Sequence, residues 1–499
     1  MFVKNTNTRA VALMLTLSLA GSVFLSCSQN QSSDNGTTAA GSRGGSTAIS
    51  ETTGQPRLKP DLEDRDFGGL EITLFGRNYD EADAVKMYSE TSSEFETGEV
   101  MNDAVYKRNR YIEQKYNVAI KGKISEDFAT LLSDIQKEIK AGDNTFDAAF
   151  ASVSDAATLS QSGFLVDLHT VPNIDLSKPW WDQRAVADLS VGGKLFFTVG
   201  DITPWAYAFP EMFIVNKELL QKYALGNPYD DVRNNNWTFD RLGEYVRAVQ
   251  DDLNGDGVIG TTDLQGLAAY RDTFSLMLLG GGESVFKKDS NDIPYFALNT
   301  ERAVNVAEKL YNLLTEKNSV LIREDYPEDD FGDPYGKFRN GASLFITTWM
   351  SLVAMYRDLD MDIGLLPQPK YDSAQEFYSH PLSEWWTSAL VIPQTNRKLD
   401  ETGFILEALC AEGMYTVRPA FYESTLKGKM LRDDDSEEML DIILNSRTFD
   451  LGRIYGWGGV MATLNSVLAQ KTFVFASSME RLNGTVDTAI EKALAKFVG

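Results

Sequence analysis

Cysteine and histidine are scarce: the chain has two of each in 499 residues. Two cysteines, Cys27 and Cys410, allow at most one disulfide, so this is not a disulfide-stapled scaffold. Two histidines, His169 and His380, are too few for a multi-histidine zinc centre or a set of His-based acid–base sites. Positive charge is also short. Against 72 Asp and Glu stand 47 Lys and Arg, for a net charge of -25. Nucleic acid demands a basic surface, and this composition argues against it as a partner. An acidic surface favours solubility and neutral or cationic ligands. After Leu25 no apolar run approaches the ~20 residues that span a bilayer. No nucleophile elbow, zinc-binding helix, phosphate loop or internal repeat is found.

What is present begins with an export signal over residues 1–26. Lys4 and Arg9 form a basic start, Ala10 to Leu25 is apolar, and the small Ser26 precedes Cys27. Leu25-Ser26-Cys27 resembles the cleavage site of bacterial lipoproteins, with Phe24 standing where an aliphatic residue is usual. The resemblance implies acylation of Cys27 and a lipid anchor in the membrane. Cys410 is then left without a disulfide partner. It falls in a helical pattern with Ile405, Leu406 and Leu409 and reads as a small buried apolar residue. Residues 27–65 read as a flexible tether. Ser28 to Pro60 is rich in Ser, Thr, Gly and Asn and cannot bury enough surface to fold. A coil of that length spans roughly 30 Å on average.

The body from Asp66 onward is too long for one core and fits two lobes. Leu70–Phe75 alternates as a strand does. Met101, Val105, Ile112 and Tyr116 share a helical face, and Val118–Ile124 alternates again. Phe128, Leu131, Leu132, Ile135 and Ile139 form a second stripe that stops at Gly142. Phe146–Ala151 is the next strand, with a Ser/Asp loop at Ser152–Asp155 after it. This order predicts a parallel α/β sheet with right-handed crossovers, and ligands in such sheets bind beyond the carboxyl ends of the strands. Asp155 has that position, although a loop carboxylate can equally be solvated. Gly200–Lys217 is extended, rich in proline and aromatics, and closes in a short apolar strand, Met212–Val215. It reads as either an edge strand or a crossing between lobes. Thr238 is a good N-cap for the next helix, whose stripe is Phe239, Leu242, Tyr245, Val246 and Val249. Later strands are expected at Leu344–Thr347, Asp362–Leu366 and Ala389–Ile392. A closing helix carries Met479, Leu482, Val486, Ile490, Leu494 and Phe497.

The sharpest motif lies between residues 252 and 263. Asp252, Asn254 and Asp256 offer side-chain oxygens at positions one, three and five of a calcium-type loop. Gly257 permits the turn at six, the Val258 carbonyl adds an oxygen at seven, and Asp263 closes the shell at twelve. Asp263 is shorter than the usual Glu. A structural calcium ion is expected here, with a solvated turn as the alternative. The acid-rich run Arg323–Asp333 lacks such spacing and reads as a solvated loop.

Several stretches in order resemble the extracellular solute-binding proteins of ABC importers, the large family that includes maltose-binding protein. They are Phe146–Ala151 with Ser160–Leu168, Gly193–Phe197 leading to Asn216–Leu220, Phe338–Ala342 with Thr348-Trp349, Gly364–Tyr371, and Ala389–Pro393. The resemblance implies a two-lobed periplasmic-binding-protein fold (type II). Each lobe would be a mixed, mainly parallel sheet flanked by helices, with the ligand cleft between them. Lobe one would take residues 66–205 and 390–435, and lobe two 206–389 and 436–499. It places Asp155, Trp205, Tyr207, Phe209, Trp349, Trp385, Trp386, Tyr455 and Trp457 at the cleft. It implies a non-enzymatic, monomeric protein, lipid-anchored to the outer face of the cytoplasmic membrane or held in a two-membrane envelope. Such a protein hands a small solute to permease subunits. Aromatic faces suit the C–H face of a pyranose, so an oligosaccharide is the expected ligand. A cationic ligand or a peptide is the rival within this class, and a secreted glycosidase is the rival outside it.

Overall fold

The computed structural model describes residues 57–78, 90–326, 333–356, 360–426 and 434–497. The signal segment, Cys27 and the tether through residue 56 lie outside these residues. Among the described residues the strands that matter for the site are, in chain order, β1 (Leu70–Gly76), β2 (Val118–Ile124), β3 (Ala148–Ser152), β4 (Phe197–Thr198), β5 (Glu211–Asn216), β6 (Gln265–Ala269), β7 (Val320–Ile322), β8 (Ser343–Trp349), β9 (Ile363–Leu366) and β10 (Ser388–Val391). They form two five-stranded sheets, ordered β2-β1-β3-β10-β4 and β9-β5-β8-β6-β7. In the first, β1 pairs in parallel with β2 and β3, while β10 runs antiparallel to β3 and β4. In the second, β6 pairs in parallel with β7 and β8, while β5 runs antiparallel to β8 and β9. This is a mixed α/β architecture with helices on the sheets.

The expected periodicities correspond to real elements. Met101, Val105, Ile112 and Tyr116 are buried along the helix Val100–Tyr116, and Leu131, Ile135 and Ile139 along the helix Leu131–Ala141. The second helix stops at Gly142, whose φ of 73° lets its N–H turn back to the Glu138 and Ile139 carbonyls. Thr238 caps the helix Phe239–Ala248 by accepting from the Arg241 N–H, and the whole predicted stripe is buried. One reading changes. Ser152–Asp155 is not a loop: Ser152 is the N-cap of the helix Val153–Gln161, its Oγ accepting from the Asp155 N–H at 3.1 Å. A serine three residues before an acid is a capping pattern, and here it outweighs the general turn preference of Ser and Asp.

The chain passes from the first sheet to the second between Thr198 and Glu211, and returns between Leu366 and Ser388. On the outward crossing Thr203 caps a single 3-10 turn, Pro204–Ala206, in which proline sits where a missing N–H costs nothing. β5 is buried along its whole length, and the Asn216 side chain then caps the helix Lys217–Lys222. The two crossings run side by side. Pro210 bridges Leu382, and the Ser383 N–H donates to the Phe209 carbonyl at 3.1 Å. Gly200–Lys217 is therefore a crossing, not an edge strand.

The body takes in residues before Asp66. The Leu58 N–H donates to the Tyr415 hydroxyl, and Arg65 pairs with Asp400 at 2.5 Å. At the other end, the helix Asp434–Asn445 packs on β9. Tyr455 and Phe497 pack at a tilt on Phe197 and Phe196, respectively, beside β4 of the first sheet. Cys410 is fully buried in the helix Leu399–Gly413, its thiol directed at the Trp180 carbonyl. Burial pushes that thiol well above its ordinary range. Trp180 and Trp181 both donate their indole N–H to Glu407, at 3.0 and 2.8 Å.

Candidate functional site

Asp155 stands on the first turn of the helix that follows β3, at the carboxyl end of that strand. Its Oδ2 accepts from Arg77 Nη2 at 2.9 Å. Arg77 follows β1, donates its Nη1 to the Trp385 carbonyl at 2.7 Å, and lies 4.7 Å over the Phe128 ring. An aromatic chain continues from there. Phe128 packs on Trp386 at 4.9 Å, Trp386 stacks on Phe209 at 6.0 Å, and Phe209 meets Trp205 at 6.1 Å. Asp155, Trp205, Phe209 and Trp386 are thus brought into one cluster along the two crossings. Trp385 stands beside it and is 62% exposed. Trp349 ends β8, half-buried, in register with Glu211.

Three expected residues go elsewhere. Tyr207 is buried on another side of the crossing: its hydroxyl bonds Asp201, Arg418 donates to both, and Phe421 packs on its ring. A buried carboxylate with a guanidinium partner holds the phenol there. Tyr455 and Trp457 stack on each other at 4.4 Å, and Phe286 packs on Trp457. The Trp457 indole donates to Gln161. Tyr455 is half-buried and Trp457 is buried, and their ring partners are Phe197, Phe497 and Phe286, not the Phe128–Trp386–Phe209 chain.

Other residues of the site carry no sequence signal. Glu384 pairs with Arg453 at 2.5 Å. Glu211, buried at the start of β5, accepts from Gln368 Nε2 at 2.9 Å. Burial, reinforced by the Asp272 charge, pushes Glu211 well above the usual carboxylate range, and burial likewise raises Asp272. Burial works against the charge of Arg453, but Glu384, Asp272 and Glu211 together outweigh it. Asp450 caps the helix Leu451–Tyr455 and also accepts from the Val285 N–H, and burial moves it up to about 6. These groups are far apart in sequence, and only the crossing of the chain between sheets assembles them. A hollow of about 540 Å³ lies elsewhere, among Arg184, Asp188, Glu283, Lys287 and Tyr295. It reaches Asp450, whose carboxylate accepts from the Arg453 N–H, but includes neither Asp155 and Glu384 nor their arginines, and the candidate site is taken at the crossings, where both sheets contribute.

The loop 252–263 leads into β6, closed at its base by a bridge between Asp251 and Leu264. Gly255 and Gly257 take φ of 77° and 83°, as the turn requires. Asp252 accepts from the Gly255 and Gly257 N–H groups, each at 2.7 Å. Asp256 accepts from Val258, and Asp263 from Leu253 and Gly260. These bonds, the Gly260 N–H first, hold Asp263 below the usual carboxylate range. Buried Lys337 donates to the Thr261 and Asp263 carbonyls at 3.0 and 2.6 Å. Among the described residues no three His, Cys, Asp or Glu side chains are grouped as a metal site. The donor set nonetheless suits a hard cation, since a carboxylate oxygen that accepts one N–H keeps a further lone pair.

Residues 109–410 match the family model described as bacterial extracellular solute-binding protein. Several solved structures share the fold. One is an ABC substrate-binding protein from Listeria monocytogenes in complex with cycloalternan (TM-score 0.55, 14% identity, covering 85% of this chain and 99% of that one). Another is the GacH receptor of Streptomyces glaucescens, solved unliganded and with acarbose (0.53, 13%, 85% and 99%). A third is the maltose/maltodextrin-binding domain MalE from Bdellovibrio bacteriovorus bound to maltotriose (0.51, 14%, 85% and 100%). No curated protein sequence matches the chain.

Proposed function

The chain belongs to the bacterial extracellular solute-binding proteins, and from that premise we propose that it captures an oligosaccharide between two lobes and delivers it to the permease of an ABC importer. The observation that carries this reading is the cluster at the crossings, where the Trp386–Phe209 stack adjoins the Asp155–Arg77 pair. An apolar ring face beside a fixed polar group matches a pyranose, which has a C–H face and hydroxyl edges. The cycloalternan, acarbose and maltotriose complexes of fold relatives support it. The first lobe is built on the β1 sheet and the second on the β5 sheet, and closure is a hinge motion biased by ligand contacts with both.

The protein acts as an exported monomer, anchored through lipid on Cys27, and binds without turnover. The loop at Asp252, Asn254, Asp256, Val258 and Asp263 takes calcium as a structural ion, which stabilises by binding only the folded form. Melting in calcium and in EDTA tests the last point: the midpoint falls in EDTA, and an unchanged midpoint removes calcium from the account. Calorimetry against neutral oligosaccharides tests the ligand. Tight binding of a peptide or polyamine, with no sugar bound, refutes the oligosaccharide. Release of shorter sugars from a bound oligosaccharide refutes binding without turnover.

A further inference from the structure

Two carboxylates at the crossings share an unusual arrangement. Asp155 is tied through Oδ2 to Arg77 Nη2 at 2.9 Å, and Glu384 through Oε2 to Arg453 Nη2 at 2.5 Å. In both pairs the guanidinium is inside and the acid is nearer the surface. The arginine side chains are 4% and 5% exposed, and the acids 17% and 15%. The other oxygen of each acid, Asp155 Oδ1 and Glu384 Oε1, accepts no hydrogen bond among the described residues. Each arginine also keeps a buried Nε–H with no partner. The two pairs are neighbours: the Ser154 N–H donates to the Glu384 carbonyl at 3.1 Å, and Arg77 donates to the Trp385 carbonyl. Trp386, next in the chain, is half-buried with its ring against Phe128 and Phe209.

We infer that Asp155 and Glu384 read hydroxyl groups of an uncharged, polyhydroxylated ligand, with Arg77 and Arg453 as positioning residues that fix each carboxylate and cancel its charge. This rests on the oligosaccharide reading of the cleft. An ionised carboxylate accepts a strong O–H hydrogen bond. Pinning one of its oxygens removes the rotamer freedom that binding would otherwise have to freeze. A bare carboxylate at this depth would instead favour an ammonium group by direct attraction. The guanidinium behind each acid offsets that preference. The two carboxylates that face the ligand are therefore each matched by a buried guanidinium, although the chain as a whole is strongly acidic.

Calorimetry on the full chain with maltotriose and with the glucosamine trimer, its amine-bearing counterpart, tests this. The wild type binds the neutral trimer and prefers it. Glu384→Gln and Asp155→Asn each weaken maltotriose binding at least tenfold; each also lowers the melting midpoint by leaving a buried guanidinium without its anion, and circular dichroism shows both variants folded at the temperature of the titration. Arg77→Met and Arg453→Met shift the preference towards the amine-bearing trimer by tenfold or more. Arg77→Lys and Arg453→Lys, which keep the charge, retain the neutral preference. A purely structural role for the arginines would weaken both probes together, and that result overturns the inference. So does maltotriose binding that is unaltered in both acid variants. If the wild type binds neither trimer nor any longer neutral oligosaccharide, the oligosaccharide reading itself falls; if it binds maltotriose and only the variants misbehave, the loss is confined to this inference.

Discussion

The same dipeptide, Trp-Trp, occurs at 180–181 and at 385–386, with opposite fates. The first pair is 1% exposed at each residue, and both indole N–H groups end on the two oxygens of Glu407. In the second pair Trp385 is exposed, Trp386 is half-buried, and neither indole N–H has a partner among the described residues. Tryptophan brings a large apolar body and one donor, and burial is tolerated only where the donor is satisfied. A carboxylate from a distant helix makes the first pair core. Its absence leaves the second pair with unpartnered donors, and Trp385 with an exposed ring, available to something else. The lesson is that the partner, not the aromatic residue, separates a sealed pair from one left open to a ligand.

The contrast can be attacked at its strongest point first. Glu407→Ala strands two buried indole donors and leaves a cavity, and should cost about 3–5 kcal/mol of stability. Urea unfolding measures it, and a cost under ~1 kcal/mol would mean that the carboxylate does not hold the first pair. The second test uses pH. Burial raises Glu407 to about 7 from an ordinary value of 4.5, against the opposing pull of the two indole donors. A raised folded-state value means the folded protein binds this proton more tightly. The contribution is full below about pH 4.5 and is lost as pH climbs through 7. It amounts to about 3 kcal/mol at most. Stability of the wild type relative to Glu407→Gln should therefore fall over that window, and parallel pH curves for the two proteins would contradict it. Third, Trp386→Ala should lower affinity for a bound oligosaccharide about tenfold, or ~1.4 kcal/mol, and leave a folded protein. Unchanged affinity by calorimetry would move Trp386 to the packing class with Trp180. The smallest effect belongs to Trp385→Ala, which should alter stability by no more than about 0.5 kcal/mol. A larger loss in thermal melting would show that its exposed ring is structurally engaged.

The fold was largely legible in the sequence because its signals are local. Helical stripes such as Phe239 to Val249 and strands such as Val118–Ile124 are written in neighbouring residues, and so are the stop at Gly142 and the cap at Thr238. The candidate site is legible only where a local feature coincides with it. Asp155 stands out because it follows a strand end, and Trp205, Phe209 and Trp386 because large aromatics near a crossing are conspicuous. Tyr207 shows the limit. Asp201 is close by in the same stretch, but nothing there announces Arg418, which is 217 residues from Asp201 and ties it to the phenol. Arg77, Glu384 and Arg453 carry no local signal for the same reason: an isolated charged residue looks solvated until its partner folds onto it. The Ser152 cap shows a different limit, since one short pattern served for both a loop and the start of a helix.

The buried Cys410 has a practical consequence for instrument-making. Its thiol is sealed in the core and held in the unreactive protonated form. With Cys27 removed or acylated, a cysteine introduced at the exposed position of Trp385 would be the single site open to a maleimide dye. A fluorophore placed there, beside the two crossings, would report ligand capture as a change in light without any redesign of the interior.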